Sequence, residues 1–100
     1  MDPLEALADP TRRRIVEMLA SGPLGSGVIA GRFHMTAPAV SQHLKALREA
    51  RLVKVRAEAQ RRIYELDRNG VDELAKWIDG IRQFWSAKLG RLEDQLREDR

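Results

Sequence analysis

Cysteine is absent from this chain of 100 residues. Its absence excludes disulfides, thiolate metal sites and cysteine nucleophiles together, and leaves the redox compartment open. Histidine occurs only as His34 and His43, nine positions apart, and so spaced they make no metal-ligand set. No apolar run approaches the roughly 20 residues that span a bilayer, and no charged-then-apolar leader opens the chain. The expectation is a soluble cytoplasmic protein with no membrane partner. Catalytic signatures are missing too: there is no phosphate-cradling Gly loop and no paired-carboxylate pocket. Ser41 and His43 lie two apart on a predicted helix, about 200° around its axis from each other, too divergent for a nucleophile–base pair. The chain is expected to be no enzyme, with no catalytic residue, cofactor or metal.

What the chain does have is charge in one place. A third of it is Asp, Glu, Lys or Arg, for a net charge of +3. Residues 1–31 carry three Arg against four acids, residues 32–66 eight Lys/Arg against three acids, and residues 67–100 seven against eight. An excess of +5 therefore sits on the middle third. Such a footprint suits a polyanion, although a basic cluster is also what an ordinary solvated face looks like. The length fits one domain, 1–100, with a modest core.

The first half reads as short helices. Asp2-Pro3 opens one through Leu4, Leu7 and Ala8. Asp9 then caps a second, with Pro10 at its first position and Ile15, Val16, Met18 and Leu19 as its apolar face, ended by Ser21-Gly22-Pro23. In the triplet Arg12-Arg13-Arg14 the side chains diverge; one or two are expected in structural ion pairs, with phosphate contact as the other reading. Leu24 to Phe33 reads as a weaker helix, since Gly25, Gly27 and Gly31 each cost about 1 kcal/mol relative to Ala. Its Val28, Ile29 and Phe33 make an edge for the next helix, and His34-Met35 a tight turn.

The stretch from His34 to Leu52 holds that next helix, with Thr36 as N-cap and Pro38 in its first turn. Val40, Leu44 and Leu47 share its inner face, while Pro38, Gln42, Lys45 and Glu49 lie opposite, flanked by Ser41 and His43. An amide, a hydroxyl, an imidazole and an ammonium without bulk suit a DNA major groove, where Gln pairs bidentately with adenine and Lys reaches phosphate or guanine. An ordinary amphipathic surface helix has the same inner face, so the neighbours decide. After Arg51 the period shifts to two. Val53, Val55, Ile63, Tyr64 and Leu66 lie in two β-prone arms around Ala57-Glu58-Ala59-Gln60, studded by Lys54, Arg56, Arg61 and Arg62. A basic hairpin directly after a helix-turn-helix is the pattern of a wing, against the alternative of a charged hairpin that protects sheet edges. Asp67 can cap a last helix, about 68–97, whose Val71, Leu74, Ile78, Ile81, Trp85, Leu89, Leu92 and Leu96 recur at spacings of 3, 4, 3, 4, 4, 3 and 4, a near-heptad seam widened by Trp77 and Phe84. So small a domain cannot cover it. A second copy is the expected partner.

The fold expected is mainly α with a small β-hairpin: a winged helix-turn-helix (about 24–50, wing about 53–66) with a long C-terminal dimerisation helix. Leu7-Ala8-Asp9-Pro10-Thr11-Arg12-Arg13, Ala39-Val40-Ser41-Gln42-His43-Leu44 with Leu47-Arg48-Glu49-Ala50, and Arg61-Arg62-Ile63-Tyr64-Glu65-Leu66-Asp67 together resemble the ArsR/SmtB family of bacterial winged-helix repressors over nearly the whole chain. The resemblance implies a homodimer on double-stranded DNA, repressing from a two-fold operator and often autoregulatory. By it Ser41, Gln42 and His43 face the groove, with the wing arginines Arg56, Arg61 and Arg62 as auxiliaries; Thr36, Pro38 and Lys45, from the helix reading above, are expected as further DNA contacts. The dimer interface is expected from Leu4, Leu7, Trp77, Ile78, Ile81, Phe84, Trp85, Leu89, Leu92 and Leu96.

Departures from the family pattern are informative. Metalloregulators of the family often carry a cysteine pair where this chain has Gly25 and Gly27, and others use Asp and His on the last helix, which here has no His. The chain resembles the metal-independent branch, with any small-molecule effector unidentified. Arg51 and Ala59 stand where the family usually has Gly; if those positions need positive φ, each costs about 1 kcal/mol. Two other readings compete with these. A winged helix used for protein–protein assembly does not need +5 on the reading helix and hairpin. Trp77, Phe84 and Trp85 fit either a small apolar pocket between paired helices or plain dimer packing.

Overall fold

The computed structural model describes residues 1–98, most of them helical. The order is α1 (Pro3–Ala8), α2 (Pro10–Leu19), β1 (Leu24–Gly25), α3 (Ser26–Gly31), α4 (Ala37–Glu49), β2 (Val53–Glu58), β3 (Arg61–Leu66) and α5 (Arg68–Glu98). Three helices start at side-chain caps. Oxygens of Asp2, Asp9 and Thr36 accept from the amides of Leu4, Arg12 and Ala39 at 2.8, 3.1 and 3.3 Å. Each cap is followed within two residues by a proline, whose missing N–H has no partner to lose there.

One expectation is corrected and another extended. Leu24–Phe33 is not one helix: Leu24 and Gly25 form β1, antiparallel to β3 with Leu24 opposite Tyr64 and Gly25 opposite Ile63. Only Ser26–Gly31 is helical, so the link into α4 is longer than the His34-Met35 turn. The later start also changes the face: Ile29 is buried and Phe33 half-buried, whereas Val28 is exposed. The hairpin is likewise part of a three-stranded sheet in the order β1-β3-β2. Its register runs from Val53 opposite Leu66 to Glu58 opposite Arg61, which leaves a loop of Ala59 and Gln60 alone.

The core joins Ile15 and Leu19 of α2, Ile29 of α3, Val40, Leu44 and Leu47 of α4, and Leu52, Val53 and Tyr64 around the sheet. The join between α4 and β2 is a tight helix end. Arg51 adopts φ 61°, its amide donates to Arg48 O, and that of Leu52 donates to Leu47 O, both at 3.0 Å. These two bonds and the left-handed residue make a Schellman cap, with buried Leu52 and Leu47 as its apolar contact. Arginine here occupies a position that favours glycine. Ala59 does the same at φ 56°; positive φ at the first loop residue alone is the sign pattern of a type II′ hairpin turn.

Helix α5 begins under this join. Gly70 is buried, and a Cβ there would run into the carbonyl of Arg51. Val71 and Leu74 pack on the core. Beyond them α5 leaves the domain, which accounts for a longest dimension of 68 Å against 26 and 23 Å.

Candidate nucleic-acid interface

With Val40, Leu44 and Leu47 buried, α4 must turn its other side to solvent. Thr36, Pro38, Ser41, Gln42 and Lys45 are all exposed, and His43 is half-buried on the flank. The face is that expected from the helical period. Glu49 is exposed at its C-terminal end.

The wing divides its charges by strand register. Residues opposite each other share a face, so Lys54, Arg56 and Glu58 lie with Glu65, Ile63 and Arg61, while Arg62 falls on the face of Ala57, Val55 and Tyr64. The neighbouring arginines Arg61 and Arg62 therefore point to opposite sides. Glu65 forms ion pairs with Lys54 Nζ at 3.8 Å and Arg56 Nε at 4.0 Å, and Glu58 pairs with Arg56 at 3.7 Å. Such exposed pairs are worth little in stability, about 0–1 kcal/mol, but they offset part of the charge of Arg56. Among the described residues Arg61 and Arg62 have no ion pair. Both line a cleft of about 520 Å³ with Gln60, across from Ser26, Gly27 and Val28 of α3.

A second groove, of about 450 Å³, runs between α4 and β2 and is lined by Lys45, Arg48, Glu49, Lys54 and Asp67. Arg48 and Lys54 were not among the expected site residues. The signal existed: Arg48 follows Lys45 by one helical turn, and Lys54 shares the face of Arg56.

The arginine triplet is used inside the protein. Expected ion pairs for its members are replaced by other contacts. Arg12 donates from Nε to Ala6 O at 2.7 Å and from Nη2 to Glu5 O at 3.3 Å, and Arg13 donates from Nη1 to Leu7 O at 3.2 Å. These are carbonyls of the last turn of α1, which have no partner within a helix of six residues. Arg14 lies over the ring of Phe33, 5.4 Å from its centroid. Arg12 also brings Nη1 to 3.4 Å from Nδ1 of His43 on α4. The Arg12 amide bonded to Asp9 holds that carboxyl below its ordinary 3.8, so this cap is ionised at neutral pH and lost only in acid.

On α5, Trp77, Ile78, Ile81, Phe84, Trp85, Leu89, Leu92 and Leu96 are all exposed, from 40% at Ile81 to 65% at Leu96. Leu4 is exposed on α1, and Leu7 is half-buried against the chain's own core. Among the described residues no three His, Cys, Asp or Glu side chains gather where a metal ion would fit, and no helix is long and apolar enough to cross a membrane.

Residues 9–55 match the family described as "Bacterial regulatory protein, arsR family". The chain is 49% identical over 85 residues to the HTH-type transcriptional regulator Rv2034 of Mycobacterium tuberculosis, covering 85% of this chain and 77% of that protein. It is 31% identical over 74 residues to the transcriptional repressor SdpR of Bacillus subtilis, 74% and 82% of the two chains. A crystal structure described as "Possible transcriptional regulator for arsenical resistance" superposes with a TM-score of 0.74 at 41% identity, covering 81% of this chain and 84% of that one.

Proposed function

The chain belongs to the arsR family of bacterial regulatory proteins, and on that premise we propose that it represses transcription as a homodimer bound to a two-fold operator, without a metal signal. A regulator of this family works on DNA and is no enzyme. The observation that carries the proposal is the outward face of α4: small polar side chains around Gln42, flanked by the wing. In this reading Gln42 and Ser41 meet base edges in the major groove, aided by Thr36, Pro38 and His43. Lys45, Arg56, Arg61 and Arg62 meet phosphates, which fix register without reading sequence. The bare apolar face of α5 supports a second copy, and two reading helices would then enter grooves about 34–36 Å apart.

Metal independence is supported by the lack of cysteine and by Gly25 and Gly27 at the matching positions. The place of action is the cytoplasm, where the bacterial chromosome lies. Sequencing the genomic DNA fragments retained by the full chain tests the proposal: a shared inverted repeat is expected. Retention without any common sequence would reject a specific operator.

A further inference from the structure

A guanidinium has five N–H donors and no acceptor. Nη1 of Arg12 lies 3.4 Å from Nδ1 of His43, so in this contact Nδ1 must supply the lone pair. The single ring proton then sits on Nε2. An Nδ1–H ring, or a doubly protonated one, would set N–H against N–H. Arg12 is not free to turn away: Nε and Nη2 are engaged by Ala6 O and Glu5 O, and its amide by Asp9 Oδ1. The guanidinium is thus oriented by α1 and α2 before it meets α4. His43 follows the exposed Ser41 and Gln42 and is itself half-covered. With Nδ1 turned to Arg12, Nε2 is the nitrogen left for a ligand.

We propose that Arg12 is a positioning residue for DNA binding, which holds His43 in its Nε2–H form so that this N–H is a fixed donor to a phosphate oxygen beside the groove that Gln42 enters. The inference rests on the DNA reading of α4. It assigns Arg12 to the function through contacts made within the protein, to Ala6 O, Glu5 O and His43.

The test uses nitrogen-15 spectra of the imidazoles in the full chain above the pH at which histidine protonates. With two histidines, His34→Gln assigns both. His43 should show one protonated nitrogen, Nε2, and one hydrogen-bonded acceptor, Nδ1; in Arg12→Gln its signals should move to tautomer-averaged values. Should that variant fail to fold, Arg12→Lys replaces it, keeping the charge but lacking the fork that reaches Glu5, Ala6 and His43 together. The DNA probe is a duplex that the unaltered chain selects from a random pool. His43→Ala should weaken binding roughly tenfold, the size of one hydrogen bond to a charged oxygen. His43→Gln, whose amide N–H can stand in for Nε2–H, should restore most of it, and in the Arg12 variant His43→Ala should cost little more. A His43 spectrum indifferent to Arg12, or an Nδ1–H ring, overturns the inference. So does independent multiplication of the two losses. A chain that selects no duplex at all sinks the DNA reading itself, an outcome distinct from selection with an unchanged spectrum.

Discussion

The carbonyl of Arg51 fills the space in which a side chain at Gly70 would begin. The first turn of α5 is therefore seated directly against the backbone that ends α4, a close approach that only glycine permits, and Val71 and Leu74 pack on the core just beyond it. Gly70→Ala should cost about 1–3 kcal/mol or more, since the obstacle is backbone and not a flexible side chain. Denaturant unfolding measures it, and a loss under a few tenths of a kcal/mol would mean the contact is easily relieved.

Arg51 and Ala59 both hold positive φ. Replacing either with Gly removes about 1–2 kcal/mol of backbone strain but gives back about 0.4–1 kcal/mol through a freer unfolded chain. A net gain near 0.5 kcal/mol is expected for each, seen as a higher melting temperature. A fall for Arg51→Gly would show that its side chain contributes more than its backbone costs.

Burying one Leu side chain is worth roughly 1.5–3 kcal/mol. The double variant Leu89→Ala, Leu92→Ala should therefore raise the dimer dissociation constant by orders of magnitude in sedimentation equilibrium. A chain cut after Gly70 should sediment as a monomer or fail to fold. Undiminished dimerisation of the cut chain would move the interface to another surface, with α1 and its exposed Leu4 the first place to look.

Gln42→Ala should remove about 1–3 kcal/mol against the preferred sequence and much less against random duplex. Lys45→Ala, Arg61→Ala and Arg62→Ala should weaken both alike and lower the salt slope by about one unit each. Arg56, shared with Glu58 and Glu65, should change it less. Salt titrations of both duplexes decide; a specificity loss at Lys45 with none at Gln42 would mean that α4 enters the groove rotated.

Neither micromolar Zn²⁺ nor a chelator should shift operator affinity by more than about two-fold, well under 1 kcal/mol. Loss of binding on chelation, in fluorescence anisotropy, would reveal a carboxylate–histidine site between copies.

Much of this was legible locally. Asp9, Thr36 and the prolines that follow them mark helix starts within three residues of sequence, and the spacing of Val40, Leu44 and Leu47 fixes which side of α4 faces out. The strand at Leu24–Gly25 was not legible, because two residues carry no period and one is glycine. What makes them a strand is Tyr64 and Ile63, nearly forty positions away. The use of Arg12 escaped for the same reason: its partners are carbonyls, which every residue possesses, and a histidine 31 positions on. Positive φ at Arg51 and Ala59 showed only as a departure from the family's glycines, since their own side chains give no hint of it.

Most of α5 beyond Leu74 has only itself to lean on. Its ion pairs, Asp79–Arg82, Glu93–Arg97 and Asp94–Arg97, are exposed helix pairs worth about 0.3–0.5 kcal/mol apiece, whereas most helical stability in proteins comes from packing an amphipathic face. A newly made chain without a partner would thus carry an exposed, aromatic-rich helix with little packing to hold it, the kind of segment that degradative proteases engage first. Turnover would then fall on orphan chains and spare assembled ones. If that apolar face joins two copies, as proposed, it would also give the cell a clock on those that stay single.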